Sequence, residues 1–185
     1  MIRRPPRSTQ GVSSAASDVY KRQECFPDAV LKTHEHRGDE TLVIDKSEFL
    51  KVCEFLRDDS RCNFEMMMDL TAVDHLEQDV KPRFEMVYHF KSLSLSKRLR
   101  LKVHLEEEDS NIDSIHHLWK AVNWYERECY DMYGIIFNNH PDLRRILMYD
   151  QFEGHPLRKD YPMDRQQPIS ELLEIEERNE YERSV

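Results

Sequence analysis

The sequence predicts an α+β domain in which a largely antiparallel sheet packs against helices and is followed by a long irregular C-terminal arm. Three observations carry this expectation. The runs "RFEMVYHFK" and "KRLRLKVHL" alternate apolar and polar residues with a period of two, as antiparallel strands with one buried and one wet face do. On either side of them the apolar spacing lengthens to the three-and-four pattern of a helix. Beyond Gly134, the residues His140-Pro141, Gly154, Pro156 and Pro162 punctuate a stretch with no sustained period, and an irregular chain of that length must drape over something.

Taken in order, the elements read as follows. "AVLKTHEHRGDETLVI", residues 29–44, sets Arg37-Gly38-Asp39 between two strand-like runs, a hairpin signal. "DKSEFLKVCEFLRD" then places Phe49, Leu50, Cys53, Phe55 and Leu56 at helical spacing, with Asp45 and Glu48 as a capping box. "FEMMMDLTAVD" is an apolar run of strand length, with Met66, Met67 and Met68 as core material. The alternating strands follow, burying Phe84, Met86, Tyr88 and Phe90, then Leu99, Leu101, Val103 and Leu105. Ile115, Leu118, Trp119 and Val122 predict one helix; Tyr125, Cys129, Met132 and Tyr133 predict a second, opened by an Asn123–Glu126 capping box and closed by Gly134.

The 185 residues suit one compact domain with tails. No apolar run approaches the roughly 18 residues needed to cross a bilayer, so membrane association is expected to be peripheral. Cys25, Cys53, Cys62 and Cys129 form no close pair, which argues against an iron–sulfur or structural zinc site here. A net charge of -9 disfavours nucleic acid as a partner.

Both ends differ from the body. Residues 1–23 hold five basic side chains against the single acid Asp18. They imitate a transit peptide, but Pro5-Pro6 would break its amphipathic helix. "SAASDVYKRQ" looks like translated sequencing-adapter DNA, so 1–23 is expected to be a non-native or disordered leader. Residues 169–185 carry six glutamates around Ile169, Leu172 and Leu173; they read as an acidic tail or short solvated helix, with docking on a basic partner as the sharper alternative.

Candidate chemistry concentrates in "YERECYDMYG", residues 125–134. On a helix, Glu128 and Asp131 stand three apart and repel unless cations intervene, and Arg144 and Arg145 are the natural partners. Such a network positions chain; an acid–base pair would need a companion nucleophile or metal that the neighbouring sequence lacks. His34 and His36 in "HEH", with Asp69, Asp74 and His75 in "DLTAVDH", invite a metal reading, but solvated strand faces and turn aspartates account for them more simply. Arg98, Arg100, Lys102 and His104 form a basic ladder suited to an acidic partner or anionic lipid, against the plainer reading of an exposed sheet face.

These residues also carry a resemblance. "ERECYDMYGIIFNNHPDLRRILMYDQFEGHPLRKDYP", residues 126–162, resembles the signature region of the thirty-kilodalton subunit family of respiratory complex I, known in bacteria as the C subunit of NADH-quinone oxidoreductase. "HEHRGDETLVID", "DLTAVDHL" and "LWKAVNWYERE" are similar to that family too, extending the match from about Phe26 to Pro168. The matching signature positions are Glu126, Arg127, Glu128, Asp131, Gly134, His140, Pro141, Asp142, Leu143, Arg144, Arg145, Pro156, Leu157, Arg158, Lys159, Asp160, Tyr161 and Pro162.

The resemblance implies a structural subunit of the peripheral arm, in the quinone module of a proton-pumping complex at the cytoplasmic face of a bacterial inner membrane. It implies a domain over 24–134, a partner-wrapping arm over 135–168, and no catalytic, cofactor-binding or metal-binding residue on this chain. FMN, iron–sulfur clusters and quinone would belong to the assembled complex, with the large quinone-site subunit and the terminal-cluster subunit as neighbours. Two other readings stand beside it: the equivalent subunit of a membrane-bound hydrogenase or related dehydrogenase, and a stand-alone metal-dependent hydrolase using His34, His36, Asp74 and His75.

Overall fold

A computed structural model of the chain describes residues 29–76, 78 and 82–167. The expected leader over 1–23 and acidic tail over 169–185 lie outside the described residues. Strand β1 (Val30–His36) turns into β2 (Asp39–Ile44) through Arg37 and Gly38, whose φ angles of 55° and 86° are both positive. Two left-handed residues in a two-residue loop match the right-handed twist of the flanking strands, which is why the hairpin forms where the sequence places glycine.

A 3-10 turn over Lys46–Glu48 and helix α1 (Phe49–Asp58) follow. Asp45 caps the turn as expected, but it accepts from the amide and hydroxyl of Ser47, while Glu48 pairs with Lys51 at 2.9 Å and does not complete a capping box. Phe49, Val52, Cys53 and Leu56 form the buried stripe of α1. Strands β3 (Met66–Asp74), β4 (Phe84–Ser92) and β5 (Lys97–Leu105) complete a five-stranded sheet in the order β1-β2-β5-β4-β3. Every pairing is antiparallel except β2 with β5, which run parallel. Three consecutive antiparallel strands return the chain to β2, and the link from β2 to β3 crosses the sheet through α1, as a parallel arrangement requires.

Tyr88, Phe49, Phe64, Phe84 and Phe90 fill the core under the helices. Phe49 lies 4.9 Å from Tyr88, ring to ring, and Phe90 lies 4.9 Å from Trp119. The predicted helix over Ile115–Val122 is absent. Short turns stand in its place: the Leu118 and Trp119 amides donate to the Ile115 carbonyl at 3.0 and 3.1 Å and the Val122 amide to Trp119 at 3.1 Å, while the Trp119 indole, donating to the Phe64 carbonyl at 3.0 Å, and the Ile115 amide, donating to a carboxylate of the next helix, tie the turns to neighbouring elements. The second predicted helix exists as α2 (Val122–Tyr133), with Ala121 instead of Asn123 at its N-cap and Gly134, φ 74°, at its C-cap. Strands β6 (Asn111–Asp113) and β7 (Ile136–Asn138) pair in parallel, so the irregular arm begins after β7 and not at residue 135. No helix among the described residues is long and apolar enough to cross a membrane.

Candidate functional site

Helix α2 packs along β3, and its last turn meets the arm. Asp131, fully buried there, is the first fastening point. Its Oδ1 accepts from Arg145 Nη1 at 2.7 Å, and its Oδ2 accepts from the amides of Ile146, Leu147 and Met148 at 3.1, 2.8 and 2.8 Å. Burial pushes the pKa of this carboxyl up, but the amides of Met148 and Leu147, with Arg145 and Ile146, outweigh it and leave the group below the usual carboxylate range. Arg145 continues to the Gly154 carbonyl at 3.1 Å, and Arg127 donates to the carbonyls of Arg144 and Arg145 at 3.1 and 3.0 Å.

The second fastening point is the C-terminus of α2 itself. A helix leaves its last carbonyls without intrahelical partners. Here the arm supplies them: His155 Nδ1 bonds the Asp131 carbonyl at 3.0 Å, the Leu157 amide donates to Met132 at 3.1 Å, and Arg158 Nε donates to Tyr133. An arginine at that end also suits the negative pole of the helix dipole. Gly134 permits this approach, since a Cβ at that position would lie 2.5 Å from the His155 imidazole and 2.8 Å from Arg158 Nη2. The variant Gly134→Ala, strained both by that crowding and by its positive φ, is expected to lose roughly 1–3 kcal/mol and to release the arm. Limited proteolysis at residues 144–165, with unfolding in urea, checks it.

The third point lies at the far end of β3. Asp74, buried, takes the Arg83 guanidinium in a two-pronged grip at 3.1 and 2.9 Å and the Lys159 amide at 2.9 Å. Arg83 also holds Asp160 at 2.8 Å and Glu107, so one guanidinium joins the sheet, the β5–β6 connection and the arm. The hydrogen bond to Asp74 is the largest influence raising the pKa of Arg83. Arg83 and Arg158 flank Phe84 at 4.9 and 5.2 Å from its ring centre.

Glu126 is a third buried acid. Ser114 Oγ donates to it at 2.6 Å and the Ile115 amide at 2.9 Å, and His140 Nε2 stands 3.8 Å away. Burial pushes its pKa up to about 7 against these bonds. Unfolded, the group titrates near 4.5. Between those values the folded chain holds a proton that the unfolded chain has lost, so stability falls as pH rises from about 4.5 to 7, by about 3 kcal/mol in total. Glu126→Gln is expected to abolish that slope, and denaturation of both forms at pH 5 and pH 8 measures the difference.

The structure thus brings together much of the expected signature but not all of the expected pairs. Arg145 meets Asp131 as the sequence suggests. Arg144 does not meet Glu128: it is exposed and pairs with Asp142 at 2.9 Å, while Glu128 faces solvent on the outer side of α2. Pro141 and Pro162 are exposed; Leu143 packs on the core, Pro156 is half-buried in the turn before Leu157, and Tyr161 stacks on Phe152 at 6.0 Å. The metal-site residues are far apart. His34 shares a lateral row with Asp69, four strand spacings of about 4.8 Å away, roughly 19 Å. Asp74 is occupied by Arg83 and the arm, and no group of three acidic, histidine or cysteine side chains among the described residues is placed to hold a metal. Sequence reasoning missed the Asp74–Arg83–Asp160 bridge and the Ser114–Glu126–His140 cluster, whose members are too far apart in the chain for any local spacing to reveal.

An α+β domain of this topology is one that subunits of respiratory membrane complexes use. The fold matches the trypsin-resistant fragment of Nqo5 with a TM-score of 0.60 and 26% identity over 70% of this chain and 98% of that one. It also matches a chain of the membrane-bound sulfane sulfur reductase, an archaeal respiratory membrane complex, with a TM-score of 0.67; at 22% identity over 81% and 86% of the two chains that likeness is one of fold.

The chain belongs to the family described as respiratory-chain NADH dehydrogenase, 30 Kd subunit, whose profile matches residues 42–167. It is 51% identical to the C subunit of the NADH-quinone oxidoreductase of Citrifermentans bemidjiense, over 78% of this chain and 88% of that one. It is 46% identical to the corresponding protein of Geotalea uraniireducens, over 78% and 86%.

Proposed function

We propose that the chain is a scaffold subunit of the peripheral arm of a proton-pumping NADH-quinone oxidoreductase, in its quinone module on the cytoplasmic side of a bacterial inner membrane. Its part is to present residues 139–167 to neighbouring subunits and to pass no electrons itself. FMN, iron–sulfur clusters and quinone are held by other chains, among them the large quinone-site subunit and the terminal-cluster subunit.

One observation carries this reading: the three most deeply buried carboxylates among the described residues are spent on geometry. Asp131 binds three arm amides and an arginine, Asp74 binds Arg83 and an arm amide, and Glu126 binds a hydroxyl and an amide of the preceding turn. Asp131 and Asp74, held below the usual carboxylate range by their donors, are poorly suited to exchange protons with a substrate near neutral pH, and Glu126 lies fully buried behind its donors. The Cys53 and Cys129 thiols are likewise buried, which raises their pKa and keeps them protonated and unreactive. The exposed Leu147, Leu157 and Met163 of the arm offer apolar contact to other chains.

Expression of a tagged chain in a host lacking its own copy tests the proposal. Copurification with the other peripheral-arm subunits and recovery of NADH-quinone reductase activity are expected. A chain that travels alone, or one that turns over substrate in isolation, would refute it. Copurification with a nickel-site large subunit would instead favour the hydrogenase-type complex.

A further inference from the structure

The arm and its fastenings occupy the helix side and one end of the sheet; the opposite face of the sheet has a character of its own. The strand register lays it out in rows. His34, Thr41, Arg100, His89 and Asp69 lie side by side, and the next row is Lys32, Val43, Lys102, Val87 and Thr71. With Lys91 and Arg98 at the end of β4 and the start of β5, five lysines and arginines stand here against Asp39, Asp69 and Glu85, on a chain whose net charge is -9.

Glu85 is already engaged, by Lys102 at 2.6 Å and His104 at 3.1 Å. Among the described residues Arg100 reaches only the Thr41 hydroxyl, at 3.3 Å, and neither Arg98 nor Lys91 makes an ion pair. Burial and the neighbouring Lys102, Lys32 and Arg100 all hold the His34 pKa down, and burial followed by Arg100 does the same to His89, so the positive field extends across the strands. A cleft of about 310 Å³ opens between the start of β3, the end of β4 and the start of β5, lined by Arg98, Arg100, His89, Asp69, Asp39 and Met68.

We propose that this face is a docking surface for an acidic, extended segment of another protein chain, with its carboxylates on Arg98 and Arg100 and an apolar side chain in the cleft beside Met68. Three features favour that occupant. Same-face residues along β5 repeat every ~7 Å, the same interval at which an extended partner presents its own side chains. The guanidinium groups offer forked donors that fit carboxylates. The interspersed Asp39 and Asp69 would repel a uniformly charged phosphate polymer or lipid surface, whereas a peptide with mixed side chains can place apolar or cationic groups beside them. The surface is separate from the arm, so the inference stands beside the scaffold reading and shares with it only the premise of a neighbouring subunit.

The test uses the assembled complex, with a photo-reactive amino acid at Lys91 in one chain and at Arg98 in another. Cross-links from both positions to an Asp- or Glu-bearing stretch of one neighbouring subunit are expected. The double charge reversal Lys91→Glu with Arg98→Glu, checked for unchanged circular dichroism, is expected to weaken retention of the chain in the complex at least about tenfold at low salt, with the difference shrinking as salt rises. Cross-links confined to residues 168–185 of the same chain or to lipid, an unlinked face in a normally assembled complex, or retention indifferent to the reversal would each overturn this inference alone. A wild-type chain that joins no other subunit would overturn it together with the scaffold reading.

Discussion

Asp131→Ala is expected to destabilise the chain by about 3–5 kcal/mol and to free the arm as a protease-sensitive strand. The substitution removes the single acceptor of the Ile146, Leu147 and Met148 amides and leaves the Arg145 guanidinium, mostly buried, without its counter-charge. Stranding a buried partner costs far more than the intact pair contributes. Urea unfolding of the two forms measures the loss, and Arg144→Ala is the control: its exposed pair with Asp142 is worth under about 1 kcal/mol. The effect has a pH signature. Because the folded carboxyl titrates below its unfolded value, its contribution is complete above about pH 4 and disappears as pH falls through the folded pKa, so wild type and variant should converge in acid. Equal stability of the two at pH 7 would remove Asp131 as the root of the arm.

Arg83→Ala is expected to cost a comparable 3–5 kcal/mol for the complementary reason. Asp74, with its side chain 1% exposed, would keep only amide donors, and Asp160 and Glu107 would lose the cation that gathers them. Arg83→Lys should restore less than half of the loss, because an ammonium cannot grip Asp74 with two parallel bonds while also reaching Asp160. Hydrogen exchange at Lys159 and Tyr161 separates this anchor from the first: Arg83→Ala should speed both, and Asp131→Ala should act mainly on 146–148. A double variant should lose less than the two single losses combined if the anchors hold one cooperative arm.

Much of the fold was legible because local rules and the tertiary structure agree. Arg37-Gly38 demanded a tight turn, Leu99, Leu101, Val103 and Leu105 demanded one buried face, and Gly134 marked the end of α2, and each is found so. Ile115, Leu118, Trp119 and Val122 misled because two successive turns of three and four residues reproduce helical spacing without a helical ladder. What stabilises those turns is the Glu126 carboxylate, a residue that the same sequence pattern assigned to a capping box. At the site, the family resemblance pointed to the right segment but not to its wiring. Adjacent residues in an irregular chain point in different directions, so nothing local could say that Arg145 turns inward and Arg144 outward. Arg83 gave no signal at all, since its partners lie nine residues before it and as far as 77 after it.

The parallel pairing of β2 with β5 bears on biosynthesis. With β1 on one side, residues 40–44 take the partner for their other edge from 99–103, so the first hairpin leaves the ribosome with one edge uncovered and waits there until α1, β3 and β4 have been made. Until β5 slots in beside it, that edge is open to any passing strand. The nascent polypeptide is therefore most in need of a chaperone before residue 105 emerges, well before the arm has been translated.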